Sequence, residues 1–301
     1  GDRHFKRVGA KVRTMGDMLS VDGGFTNMRD EKVGTDIGLK LSAGFDRIAA
    51  QISLDNHAKA QRLRGALGAD VAFRKTPDGK TLALVNFNKS RFHVGDTLFM
   101  VHPSTVLYSK NHLEVHDFAI SSGSQRVLVS GTGSDNANDS LTAHLSNVNV
   151  NYILNLVNFH SVEFSGAASG TASVKGLFAS PDVTAALRVD RFKLIEGRLG
   201  TLRANVGWKL SEGQINIKGI TRDTIQEASG AIPSSTYVKG YVSTKHHYID
   251  LGMKLDNTRA EFLGTLCSSF LNDVDLRGNG DLRLWGDLSK LNLTGDIVTD
   301  G

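Results

Sequence analysis

The chain has 301 residues, with 35 basic and 31 acidic side chains and a formal charge of +4. The two signs are mixed along the whole length and aromatic residues make up only 7%, which argues against the clustered basic face and stacking rings of a nucleic-acid binder. A single cysteine, Cys267, excludes an intrachain disulfide and a cysteine-based metal site.

Glycine is frequent at 32 residues and proline scarce at 4. Sheet tolerates glycine at bends and rejects proline in strand interiors, so this balance favours long runs of strand. The four prolines, Pro77, Pro103, Pro181 and Pro233, fall where the pattern predicts turns or strand starts. The sequence opens GDRHF and carries no apolar run near the roughly 18 residues a membrane span needs. It is expected to be a piece of something longer, with any anchor or export signal outside it.

In chain order, Arg3, Lys6, Arg7, Lys11 and Arg13 read as a solvated strand edge, since exposed cations guard edges against pairing. Pro77-Asp78-Gly79 predicts a turn. His112, Glu114 and His116 would share one face of a strand and could in principle hold zinc, although a solvated histidine pair is the ordinary outcome there. Ser122-Gly123-Ser124 predicts another turn, and Gly131 to Ser140 a polar loop. Asp135, Asn136, Asn138 and Asp139 offer oxygen ligands in that loop but lack a calcium-binding pattern. Asn151 to Phe159 breaks the strand rhythm: an asparagine able to cap is followed by Tyr152, Leu156 and Phe159 at helical spacing.

Period-two alternation then dominates, the mark of strands with one apolar face. Val183, Ala185, Leu187 and Val189 oppose Thr184, Arg188 and Asp190. Leu202, Ala204, Val206, Trp208 and Leu210 oppose Arg203, Asn205 and Lys209, and after the turn Ser211-Glu212-Gly213 come Ile215 and Ile217. His246 and His247 are expected on opposite faces of a strand, unable to chelate together. Ile249, Leu251, Met253 and Leu255 oppose Asp250, Lys254 and Asp256. Asn257 to Phe270 predicts a second short helix, with Phe262, Leu266 and Phe270 on one side. Leu282 and Leu284, then Leu291, Leu293 and Ile297, resume the alternation.

These signals predict roughly sixteen strands in antiparallel meanders. Side by side at about 4.8 Å they would advance on the order of 75 Å, so the sheet is expected to curl, close or fold over. Shifting the chain by 110 residues lays Tyr152–Arg191 on Phe262–Gly301, with Leu156 on Leu266, Gly170 on Gly280, Gly176 on Gly286 and Leu187 on Ile297. Such a repeat indicates an array in which each unit covers its neighbour's apolar edge. The expected division is 1–150, an N-terminal β segment; 151–256, a repeat opening with a helix; and 257–301, a partial second repeat.

The unit SGAASGTASVKGLFASPDVTAALRV (Ser165 to Val189), its second copy RGNGDLRLWGDLSKLNLTGDIV (Arg277 to Val298), and the order His112–Ile120, Gln125–Gly131, Asn138–Leu141, Asn147–Tyr152 resemble the TamB and AsmA-like proteins, the Bacteroidetes type in particular. The resemblance covers about the last two-thirds of the chain. It implies an all-β fold with a few short helices, an elongated, folded-over antiparallel sheet enclosing an apolar groove. It also implies a periplasmic location, an inner-membrane anchor in the whole protein, a TamA-like outer-membrane partner, and no catalytic residues. The function expected is conduction of phospholipid between the two membranes, with acyl chains as the bound species. The alternative is a chaperone-like scaffold for unfolded outer-membrane proteins. The expected lining is Val183, Leu187, Val189, Leu202, Val206, Trp208, Ile215, Ile217, Ile249, Leu251, Met253, Leu255, Leu282, Leu284, Leu291 and Leu293. No cofactor or metal is called for, and Gly131-Thr132-Gly133 matches no phosphate-binding loop.

Overall fold

The computed structural model describes residues 3–29, 33–58, 62–77, 79–156, 163–194, 197–227, 230–259 and 277–300. Among them it contains twenty strands and one short helix, and every ladder is antiparallel. The fold class is therefore all-β, as expected. The chain divides into two compact units, Gly1–Asp135 and Asn136–Gly301.

The first unit begins as a meander. β1 (Arg3–Met15) pairs with β2 (Met18–Arg29), β2 with β3 (Val33–Ala43), β3 with β4 (Arg47–Asp55), and β4 with β5 (Leu63–Lys75). The next two strands are broken. β6 (Thr81–Phe87) pairs with one end of β5 and β7 (Ser90–Val94) with the other, interrupted at Asn88-Lys89. β8 (Thr97–Val101) follows β7 and β9 (Ser104–Ser109) follows β6, interrupted at His102-Pro103, where proline has no N–H to continue a ladder. β10 (His112–Ser122) lies along both and pairs with β11 (Gln125–Ser134). Its own register shifts between Val115 and Phe118, with Asp117 in the left-handed region at φ 50. The breaks fall side by side across the sheet.

The second unit is a meander in chain order: β12 (Ser140–Asn149), β13 (Phe164–Lys175), β14 (Asp182–Leu194), β15 (Gly197–Lys209), β16 (Gln214–Glu227), β17 (Gly230–Ser243), β18 (Tyr248–Arg259), β19 (Arg277–Asp287) and β20 (Lys290–Asp300). In a flat sheet β15 and β18, three steps apart, would be separated by about 14 Å. Here they approach within 8 Å at Cα, so the sheet curls over. Its core lies on one face, where Ala168, Val189, Ile249, Leu255 and Leu282 join a single buried cluster.

The helix α1 (Val150–Leu156) covers one end of that cluster with Val150 and Ile153. Its cap is Asn149, whose Oδ1 accepts the Asn151 N–H at 3.0 Å. The expected cap, Asn151, is instead the second residue of the helix, and positions 157–159 of the expected segment lie outside the described residues. The second expected helix fails at its start: Asn257 to Arg259 belong to β18. Asn257 is a bulge residue at φ 45, so the side chain that reads as a cap sits where β18 slips register between Leu255 and Thr258. Positions 260–270 lie outside the described residues.

The 110-residue repeat is present in the pairing itself. Leu145 faces Gly170 and Val148 faces Ala168 across a bulge at Asn147, while Leu255 faces Gly280 and Thr258 faces Gly278 across the bulge at Asn257. The next ladder repeats too, with Gly170 opposite Leu187 and Gly280 opposite Ile297. Each bulge N–H is held by the residue before the glycine: Asn147 N donates to Ser169 Oγ at 2.9 Å and Asn257 N to Asn279 Oδ1 at 2.8 Å. The repeat thus reaches upstream of Tyr152.

Three smaller expectations change. Gly131 to Ser134 continue β11 rather than opening the loop. His246 and His247 lie in the turn between β17 and β18, not on a strand. Pro233 falls inside β17, tolerated because β18 pairs with β17 only from Ser235 onward, leaving one side of the strand open there.

Candidate functional site: the apolar sheet face

Residues directly opposite in an antiparallel ladder point to the same side of the sheet. Followed through the registers of the second unit, this rule produces four parallel rows. The first is Val183, Trp208, Ile215, Val242, Ile249, Gly286, Leu291, and the second Ala185, Val206, Ile217, Gly240, Leu251, Leu284, Leu293. The third is Leu187, Ala204, Gly219, Val238, Met253, Leu282, Gly295, and the fourth Val189, Leu202, Thr221, Thr236, Leu255, Gly280, Ile297. Every residue of the expected lining falls on this one face.

The rows differ in depth. Val189, Ile249, Leu255, Met253, Leu282 and Leu284 are at most 8% exposed and form closed core. Val183, Leu187, Leu202, Val206, Trp208, Ile215, Ile217, Leu251, Leu291 and Leu293 are half-buried. The fourth row carries hydroxyls, and they are satisfied internally: Thr236 N donates to Thr221 Oγ1 at 3.1 Å, Thr236 Oγ1 meets Thr258 Oγ1 at 2.8 Å, and Thr258 Oγ1 donates to the Ser235 carbonyl at 2.9 Å. Trp208 differs, because its indole N–H is buried and meets no acceptor among the described residues. The residues that sequence reasoning missed are Val238 and Val242 of β17, where Thr236 and Gly240 interrupt the apolar alternation.

The opposite face is polar and locally paired. Arg283 makes a two-pronged bond to Asp250 at 2.8 and 2.7 Å, and its guanidinium lies 5.9 Å from the Trp285 ring centre. Trp285, whose N–H reaches Thr294 Oγ1 at 3.3 Å, therefore belongs to the polar side. The hydrogen bond from Arg283 holds the Asp250 carboxyl below its ordinary range.

The first unit also carries an apolar face, and there it stays open. Val12, Val21, Leu41, Ala50, Ala69 and Phe87 form one row and Leu39, Ile52 and Leu67 another. Val12 is 61% exposed, Ile52 51% and Leu39 36%. On its polar side His57 Nε2 meets Asp36 Oδ2 at 2.7 Å, and Arg62 forks onto Asp55, whose carboxyl is held far below the usual range by that contact. Lys6, Arg7, Lys11 and Arg13 of β1 are exposed, on a strand whose pairing among the described residues is with β2.

His112 and His116 do share a face with Glu114, at 2.9 and 3.6 Å from its oxygens. Among the described residues, no three His, Cys, Asp or Glu side chains are placed to hold a metal ion. In the loop after β11, Asp135 accepts from Asn111 Nδ2 at 3.0 Å, and Asn136 Oδ1 accepts from the Asn138 N–H at 3.0 Å, a local turn. No protein-family model, curated protein or solved structure matches this chain.

Proposed function

We propose that the chain is a segment of a TamB-like periplasmic bridge that shelters phospholipid acyl chains on its apolar sheet face. The observation that carries this reading is the open apolar face of the first unit, where Val12 in one row and Leu39 and Ile52 in the next remain exposed. Sheltering about eight methylenes at about 0.8 kcal/mol each offsets about 6 kcal/mol of the cost of leaving a bilayer. A lining that is mostly aliphatic, with the Thr221 and Thr236 hydroxyls already bonded internally, holds a chain weakly at every point, which suits sliding. Conduction between an inner and an outer membrane, with a TamA-like partner at the far end and an anchor elsewhere in the protein, extends the same reading.

A photocrosslinker at Leu39 or Ile52 should capture phospholipid in cells, and one at Leu187 or Leu251 should do so where the second unit is open. Capture confined to polar-face controls such as Lys40 or Arg188 would refute the reading. The second reading, a scaffold for unfolded outer-membrane strands, is favoured by β1. That strand exposes Phe5, Val8, Val12 and Met15 as well as its cations, and can accept a further strand by augmentation. It predicts crosslinks from β1 to nascent barrel proteins rather than to lipid.

A further inference from the structure

The polar face of the second unit carries a hollow of about 650 Å³. Two cross-strand rows line it. One brings Asn205, Lys218 and Lys239 together from β15, β16 and β17, and the next brings Gly207, Asn216 and Tyr241. The side chains between the rows, such as Val206 and Ile217, point to the apolar face, so the backbone forms the floor. We propose that this hollow is a binding site for an anionic sugar.

Glycine sets the depth. A Cβ at Gly207 would meet nothing within 4 Å, so the middle of the hollow is open space. Its charge comes from Lys218 and Lys239, which are exposed and directly opposite each other in the β16–β17 ladder. Like charges placed this way repel and destabilise a sheet. Neither lysine has an ion pair or hydrogen bond among the described residues. The one carboxylate among their register neighbours is Asp250, and Arg283 already forks onto it. An anion in the hollow takes charge-assisted hydrogen bonds from both ammonium groups and relieves their repulsion.

The rest of the lining suits a polyol. Thr184 and Asn205, both exposed, supply a hydroxyl and an amide that donate as well as accept, as the ring hydroxyls of a sugar require. Gln214 Nε2 donates to Asn216 Oδ1 at 3.0 Å, which fixes that amide and leaves its own NH2 group as a donor. Tyr241, half-buried, adds an apolar ring with a polar tip. A bare anion would use the lysines alone, whereas a charged sugar uses the whole hollow. Carboxylated and phosphorylated sugars share this chemistry, and the site stands whether or not the opposite, apolar face carries lipid.

The test titrates the intact chain by calorimetry at low ionic strength with trigalacturonate and with glucose 6-phosphate, using neutral maltotriose and inorganic phosphate as controls. At least one charged sugar should bind saturably and more tightly than both controls, and which one binds separates the carboxylated from the phosphorylated source. Lys218→Gln and Lys239→Gln should each weaken that binding about tenfold, the loss of roughly one charge-assisted hydrogen bond. Gly207→Phe should abolish it by filling the hollow while both lysines remain, and far-UV circular dichroism checks that each variant folds. Failure of both charged sugars to bind, phosphate binding as tight as theirs, or equal binding in all folded variants overturns the proposal.

Discussion

Alanine at Gly280 should unfold the second unit far more readily than alanine at Gly252, although both glycines lie in neighbouring ladders of one sheet. Gly280 sits at φ 153, in a region that glycine alone occupies without strain, and a Cβ there would run into the Asp296 carbonyl and lie 3.1 Å from Ile297 Cα. The obstacle is backbone of β20, which cannot step aside as a side-chain tip can. Strain of about 1–3 kcal/mol and overpacking of about 1–3 kcal/mol sum to a loss of about 2–6 kcal/mol. Gly252 has ordinary room, 3.6 Å to the Lys239 carbonyl, and no positive φ, so alanine there should be neutral or stabilise by up to about 1 kcal/mol. Gly170→Ala should match Gly280→Ala, since φ 145, the Ala186 carbonyl and Leu187 Cα reproduce the same surroundings 110 residues earlier. The assay is urea denaturation followed by tryptophan fluorescence. Trp208 and Trp285 are the two tryptophans of the chain, and both lie in the second unit, so the signal reports that unit. A Gly280→Ala loss below about 1 kcal/mol, or equal losses at Gly280 and Gly252, would refute the glycine argument, and clearly unequal losses at Gly170 and Gly280 would refute the equivalence of the two repeat positions.

Thr258→Val leaves Thr236 without its buried partner and should cost about 1–2 kcal/mol in the same assay, with Thr236→Val/Thr258→Val less destabilising than the two single losses added. Trp208→Phe removes a buried N–H that has no acceptor among the described residues, so it should leave the thermal midpoint unchanged or raised; a clear drop would show that the packing of the half-buried ring outweighs the relief of that N–H and would refute this prediction. Asp250, with its folded pKa depressed chiefly by the Arg283 hydrogen bond, contributes stability that is present above the unfolded value near 3.9 and lost as pH falls through the lower folded value. Acid denaturation of Asp250→Asn should therefore be less steep below about pH 4 than that of the parent chain. On the proposed lipid-sheltering reading, lipid that co-purifies with the parent chain should be lost from Ile52→Asp while the fold stays intact, because the side chain is 51% exposed; retained lipid with a folded variant would count against that reading.

Much of the architecture was legible in the alternation. β14, β15, β18, β19 and β20 fall where Val183 to Asp190, Leu202 to Lys209, Ile249 to Asp256 and the closing leucines place them, while Leu210, expected on the apolar face, lies in the following turn and is 39% exposed. β17 was harder to read, because Thr236 and Gly240 occupy inward positions and break the apolar series, although Val238 and Val242 keep its phase. Asn257 reads as a helix cap from its neighbours, yet an asparagine serves a left-handed bulge equally well, and only the partner strand, with Asn279 accepting its N–H, decides between them.

By itself the sequence determines which residues share a face, because successive Cβ atoms alternate sides whatever the strand pairs with. It places the whole expected lining together for that reason. Whether that face is closed or open is a property of how far the sheet curls, which is set by bulges and glycines acting with partners on other strands. The same kind of apolar row is consequently sealed core at Ile249 and Leu255 and solvent-facing surface at Leu39 and Ile52.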